Sequence, residues 1–268
     1  MPPDSVSFHL YNKTPLCLVY KIKNFKSMLT KLTGIVLQTI RHNDRNDIVT
    51  LFTRQRGRVA LLVGAGNGKT ARMRRARLSP LALIETEVNF RETRDLQFIG
   101  EISSPHLWRN LYFDPVKGAM TVFMAEFLNR LLRASEADEP MWRFLLSALH
   151  SLDTLERGIS NYHIAFLIRL LPFAGISPDL DSYRPGRVFD MQDGSFADIP
   201  PLHRHFIPAA EAAYIPLLMR MNFRNLHRFR FNVGQRRQLL QWLLRYYSLH
   251  LPVGEDLKSL EVLRDVFN

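Results

Sequence analysis

Ile84-Glu85-Thr86-Glu87-Val88-Asn89-Phe90 decides the first half of the fold. Ile84, Thr86, Val88 and Phe90 alternate with Glu85, Glu87 and Asn89. Period two marks a strand with one face in a core and the other in water. Working outward, Leu96, Phe98, Gly100 and Ile102 alternate against polar neighbours and predict a following strand on the same rule. Upstream, residues 34–40, 47–53 and 58–63 predict three more. Five short strands separated by turn residues point to a small antiparallel β-barrel of the OB type.

After Pro105 the period changes. Met120, Phe123, Met124, Phe127, Leu128 and Leu131 fall at helical spacing within 116–133, and 141–155, 162–171, 209–221 and 235–250 continue that way. Residues 175–208, rich in Pro, Gly and Asp, read as an irregular insertion. The chain is therefore expected to be α+β: a barrel over 28–104, then an all-α domain over 105–268, with the break near 103–112. Residues 1–27 read as a leader, either a disordered tail or a stretch ahead of a true start at Met28. Its apolar patch, Leu16 to Tyr20, is followed by Lys21, Lys23 and Lys26, the reverse of a secretory signal.

Of 268 residues, 36 are Lys or Arg and 25 Asp or Glu, a formal charge of +11. Such an excess favours a polyanion, because each phosphate neutralised releases condensed counterions. Nucleic acid is the first reading and an anionic membrane surface its rival. A single cysteine, Cys17, excludes an internal disulfide and a cysteine-built zinc site and suggests a cytoplasmic protein. No apolar run approaches the roughly 20 residues of a membrane span.

The stretch Gly64-Ala65-Gly66-Asn67-Gly68-Lys69-Thr70 resembles a phosphate-binding loop in its last three residues. The first glycine of that motif would fall at position 63, which is Val63. A nucleotide-dependent enzyme using this stretch is the alternative function. The preferred reading is a mobile cationic loop joining two barrel strands: Lys69, Arg72, Arg74, Arg75 and Arg77 stand without an acid among them. Such a loop grips phosphates without reading bases. Arg54, Arg56 and Arg58 form a second cluster at the preceding turn. If both turns share a barrel face, they make one electropositive groove. Catalysis finds no support: there is no G-x-S-x-G or H-E-x-x-H, and Glu85/Glu87 lie on the polar side of a strand.

Several segments, in order, resemble the RecO family. They are Gly34-Ile35-Val36-Leu37, Leu51-Phe52-Thr53, Gly57-Arg58-Val59, Val63-Gly64 leading into the basic stretch, and Leu78-Ser79-Pro80-Leu81. Ala125-Glu126-Phe127-Leu128, Gly175-Ile176-Ser177-Pro178-Asp179-Leu180 and Lys258-Ser259-Leu260 follow. The resemblance implies an OB-fold, a helical C-terminal domain and a non-enzymatic role in recombinational repair in the cytoplasm, at the nucleoid. It implies binding of single- and double-stranded DNA, strand annealing, a RecR partner, and help in loading RecA onto DNA coated by single-strand-binding protein. It also implies capture of that protein's acidic C-terminal tail, for which Arg130, Arg133 and Arg169 are the candidate cations. Many members carry four zinc-binding cysteines after the Gly175–Leu180 element; here none follows. His203 and His205 alone do not make a tetrahedral set, so no metal or cofactor is expected. Tyr183, Phe189 and Phe196 are expected to hold the insertion by packing.

Overall fold

The structure, a computed structural model, describes residues 28–64 and 68–267. The leader reading and the centre of the glycine-rich stretch lie outside them. β1 (Met28–Arg41), β2 (Asn46–Thr53), β3 (Gly57–Gly64), β4 (Leu83–Phe90) and β5 (Leu96–Ser103) close into a barrel of order β1-β2-β3-β5-β4. β3 and β5 run parallel; the other pairs are antiparallel. One helix, α1 (Lys69–Arg77), links β3 to β4. This is the OB architecture. Leu32, Val36, Val49, Leu51, Val59, Leu61, Val63, Ile84 and Val88 fill the interior.

Two details depart from the sequence expectation. The basic segment read as a mobile loop is the helix α1. The phase of β5 is also reversed: Phe98, read as part of the apolar half-buried face, is 58% exposed, whereas Gln97 is 3% exposed. Gln97 turns inward because its amide serves the 91–95 turn. Its Nε2 donates to the carbonyls of Arg91 (2.8 Å) and Arg94 (2.6 Å), and its Oε1 accepts from Arg91 N (2.9 Å). The Gln97 amide thereby satisfies three part-buried backbone groups of the turn at once, which sets the phase of the strand against the hydrophobicity of Phe98. A bulge in the β4–β5 register between Thr86 and Val88 then returns Ile102 to the interior side.

The second half packs α2 (Pro115–Leu131), α3 (Glu139–Thr154), α4 (Tyr162–Leu170) and α7 (Val233–His250) around an aromatic core, with α8 (Ser259–Val266) against α2. Asp114 and Asp138 cap α2 and α3, each followed within two residues by a proline. Asn232 and Gln235 form a reciprocal capping box, which starts α7 two residues before the predicted 235. The Phe127 and Tyr247 rings meet edge to face at 4.9 Å. The helix predicted over 209–221 is two single turns, α5 (Ala209–Ala212) and α6 (Ile215–Leu218). Pro216 has no N–H to continue a helix through this point. The 175–208 insertion is more ordered than its composition suggests: β6 (Val188–Asp190), β7 (Ser195–Ala197) and β8 (Phe206–Ile207) form a small antiparallel sheet. Phe196 contacts Tyr183 at 5.1 Å and Phe189 at 5.0 Å.

The barrel and the helices share one core. Ile35, Leu37, Phe52 and Leu81 turn away from the barrel interior and join the cluster of α2, α3 and α4. Phe52 meets Trp142 at 6.2 Å, and Trp108 Nε1 donates to the Leu81 carbonyl across 3.2 Å. Gly57 sits at the seam with φ 68°. A Cβ there would lie 2.3 Å from the Glu136 carbonyl carbon and 2.4 Å from the Ser135 oxygen. The same 135 carbonyl accepts from Arg58 N at 3.0 Å, so the backbone has little room to retreat. Gly57→Ala is expected to lower stability by about 1–3 kcal/mol or more, since left-handed strain and a backbone clash act together. Urea denaturation checks this; an unchanged midpoint would show that residues 134–137 shift freely.

Candidate nucleic-acid interface

α1 lies across one end of the barrel. Arg74 Nη1 donates to the Gly64 carbonyl at 2.7 Å, Arg77 Nη1 to Ile102 O at 3.1 Å, and Thr39 Oγ1 to Leu78 O at 3.1 Å. Leu78, just past the helix, is buried in the barrel core. These contacts hold a helix that has no apolar face of its own; Met73 is exposed. Lys69, Arg72 and Arg75 are exposed and have no side-chain partner among the described residues. Arg74, Arg75 and Arg77 in the last turn also suit the helix dipole. Because Asn46 pairs with Gly64, the β1–β2 turn reaches the same end. It adds exposed Arg45, a cation the sequence reading passed over.

The second predicted cluster is elsewhere. Arg54, Arg56 and Arg58 sit at the Gly57 end of β3, whereas α1 departs from the Gly64 end. Seven strand steps of about 3.3 Å separate the two, roughly 23 Å. The single groove expected from the sequence is therefore not formed. Arg54 makes a two-point pair with Glu139 (2.8 and 2.9 Å), which also holds Arg143 at 2.8 Å. That neutralisation holds the Glu139 carboxyl below its usual range. Arg56 lies over the Phe90 ring at 4.9 Å and 3.6 Å from Glu92. Arg58 is half-buried and donates to the Asn129 carbonyl at 2.9 Å. Two of the three arginines thus serve the seam.

Between these ends the outer surface of the barrel carries a cross-strand row. Ile40 pairs with Ile48, Ile48 with Leu62, and Leu62 with Phe98. Ile40 is 45% exposed. The Arg94 guanidinium lies 5.6 Å from the centre of the Phe98 ring. The sequence concealed this face because it predicted Phe98 on the other side of β5.

The three arginines assigned to partner binding also separate. Arg130 is saturated: it pairs with Asp256 (2.6 Å) and Glu126 (3.2 Å) and donates to the Val253 and Asp256 carbonyls. Arg133 is exposed and lines a recess with Arg130 and Arg58. Arg169 is exposed on α4 and is not part of that recess. It follows Ile168, which lines a cavity of about 60 Å³ between α4, α7 and the small sheet, with Phe189, Trp242 and Tyr246 among its walls. In the insertion, His203 Nε2 stands 3.2 Å from Asp190 Oδ2. No group of three or more His, Cys, Asp or Glu among the described residues is arranged to hold a metal. No helix among them is long and apolar enough to cross a membrane.

Comparison with known proteins places this geometry. The family described as Recombination protein O N terminal matches residues 28–106, and Recombination protein O C terminal matches 112–261. The chain is 38% identical to the DNA repair protein RecO of Phocaeicola vulgatus over 241 residues, 90% of this chain and all of the relative. It is 38% identical to that of Bacteroides fragilis over 242 residues and 36% to that of Porphyromonas gingivalis over 246, with the same coverage. The closed barrel with its cationic helix and the helical second half are thus the two matched regions, and the chain belongs to the RecO family of DNA repair proteins.

Proposed function

We propose that the chain is a non-enzymatic DNA repair and recombination mediator, cytoplasmic and associated with the nucleoid, that binds single- and double-stranded DNA and anneals complementary strands. One observation carries this: a helix with five basic and no acidic residues is fixed across one end of an OB barrel, with Lys69, Arg72 and Arg75 directed to solvent. Cations on a rigid base that touch phosphates bind every sequence alike. Annealing requires that indifference. The test is pairing of labelled complementary oligonucleotides with and without protein. Acceleration that ignores ATP supports the proposal, and no acceleration at low salt sinks it.

The nucleotide-enzyme alternative finds little support. β3, which precedes Lys69, belongs to a closed antiparallel-rich barrel, whereas a phosphate loop feeds a helix from a parallel α/β sheet. Purified protein is expected to hydrolyse no ATP, and Lys69→Met to change DNA affinity alone. Turnover abolished by that substitution would restore the alternative.

Membership in the family motivates the remaining partners: RecR, RecA as the recombinase being loaded, and the acidic tail of single-strand-binding protein. A tail ending in an apolar residue needs an apolar pocket beside a cation. The α4–α7 cavity supplies the apolar pocket, and Arg169, exposed on α4 but not among the residues lining that cavity, is the remaining candidate cation, whereas Arg130 and Arg133 belong to the seam.

A further inference from the structure

The seam recess brings together residues that the sequence assigned to two different sites. Arg58 comes from β3, Asn129, Arg130 and Arg133 from the end of α2, and the wall opposite from residues 252–254 between α7 and α8. Its volume is about 500 Å³, and no carboxylate lines it. Acids that adjoin it in the chain are engaged elsewhere: Glu255, which follows Gly254, pairs with Arg245 at 3.2 Å. Asp256 and Glu126 both pair with Arg130, and Glu126 also accepts the Lys258 and Ser259 N–H groups at 3.1 and 2.8 Å. Arg58 spends one N–H on the Asn129 carbonyl, a terminal carbonyl of α2. Arg133 has no side-chain partner among the described residues. The negative end of the α2 dipole, roughly half a charge, explains why cations gather here but does not neutralise two of them. Burial, and then Arg133, push the Arg58 guanidinium below its usual pKa, the mark of a group lacking a counter-charge.

We propose that this recess binds a phosphate of a nucleic-acid backbone, so that DNA contacts the seam between barrel and helical domain as well as α1. The site rests on the proposed DNA-binding function and extends it to a second, separate point of contact. Paired guanidiniums match the tetrahedral oxyanion of a phosphodiester with parallel N–H donors. No aromatic side chain lines the recess, so it offers nothing for a base to stack on and carries no sequence preference.

The experiment uses the full chain and fluorescent oligonucleotides, titrated at several salt concentrations. Arg133 is exposed beyond the last turn of α2, so Arg133→Ala is expected to fold with an unchanged melting temperature. It should flatten the log–log salt slope by about 0.7–0.9, the contribution of one phosphate contact, and Arg133→Lys should restore the slope. An unchanged slope in Arg133→Ala, with DNA binding intact, overturns the site. So does loss of binding to an oligoglutamate peptide in this variant while the DNA slope stays intact, which would assign the recess to a protein carboxylate. A wild-type chain that binds no DNA at low salt would overturn the proposed function itself.

Discussion

Asp153→Ala is expected to destabilise the protein by about 3 kcal/mol or more, because each buried N–H left without an acceptor costs about 1–3 kcal/mol. Asp153 is the penultimate residue of α3 and is 4% exposed. Its carboxylate accepts three successive backbone N–H groups of the segment between barrel and helices: Arg109 at 3.1 Å, Asn110 at 2.7 Å and Leu111 at 3.1 Å. Its carbonyl accepts Lys117 Nζ and Asn110 Nδ2, both at 2.8 Å. Lys117, itself buried, keeps the main-chain carbonyl in the alanine variant, so the loss falls on the three N–H donors and on the attraction between the carboxylate and the Lys117 charge. Against a typical total of about 5–15 kcal/mol, such a loss should be plain in a urea curve. Asp153→Asn, which keeps an acceptor oxygen, should lose less.

The same carboxylate gives a pH signature. Burial pushes the Asp153 pKa up, but the N–H groups of Asn110, Arg109 and Leu111, with Lys117, outweigh it and leave the group below its usual 3.8. A pKa depressed in the folded state contributes stability above the unfolded value and loses it as pH falls through the folded one. The gap between wild type and Asp153→Ala should therefore be full at pH 7 and shrink below about pH 4. A gap that is constant down to pH 2 would mean that the carboxylate's charge plays no part.

The largest functional effect is expected from α1. Replacing Arg72, Arg74 and Arg75 together by Ala should reduce the log–log salt slope of DNA binding by about 2–3, at 0.7–0.9 for each phosphate released. Affinity should fall alike for unrelated sequences, since these cations meet backbone and not base edges. Arg74 also holds Gly64, so part of its effect is structural. Arg72→Ala with Arg75→Ala removes two exposed cations that have no internal partner among the described residues. This double variant should keep its melting temperature and lose about two thirds of the triple variant's slope change. An unchanged slope in the triple variant would mean that DNA lies on another surface.

Much of the fold was legible because it rests on local rules. Alternation at Ile84–Phe90 needs only the pleat of a strand, and the shift to helical spacing after Pro105 needs only the pitch of a helix. Charge alone pointed to a polyanion, and the acid-free stretch 69–77 remains the strongest cationic feature of the barrel.

What the tertiary structure decided was which side chains are already spent. Arg54 and Arg130 are candidate ligand-binding cations in the sequence, yet each pairs with an acid from a distant part of the chain, Glu139 and Asp256. No local pattern encodes a pairing across 70 to 130 residues. Phe98 shows the same limit in a strand. Its alternation predicted burial, but the backbone groups of the 91–95 turn needed an amide, so Gln97 went inward and Phe98 outward. Sequence by itself determined the five barrel strands, the longer helices α2, α3, α4 and α7, their order and the sign of the charge. The separation of the basic clusters by the length of β3, the loss of Arg54 and Arg130 to internal ion pairs and the joining of Arg58 to Arg133 followed only from closing the barrel and packing it on the helices. Hydrogen-bond demand and charge pairing act through space, whereas periodicity acts along the chain.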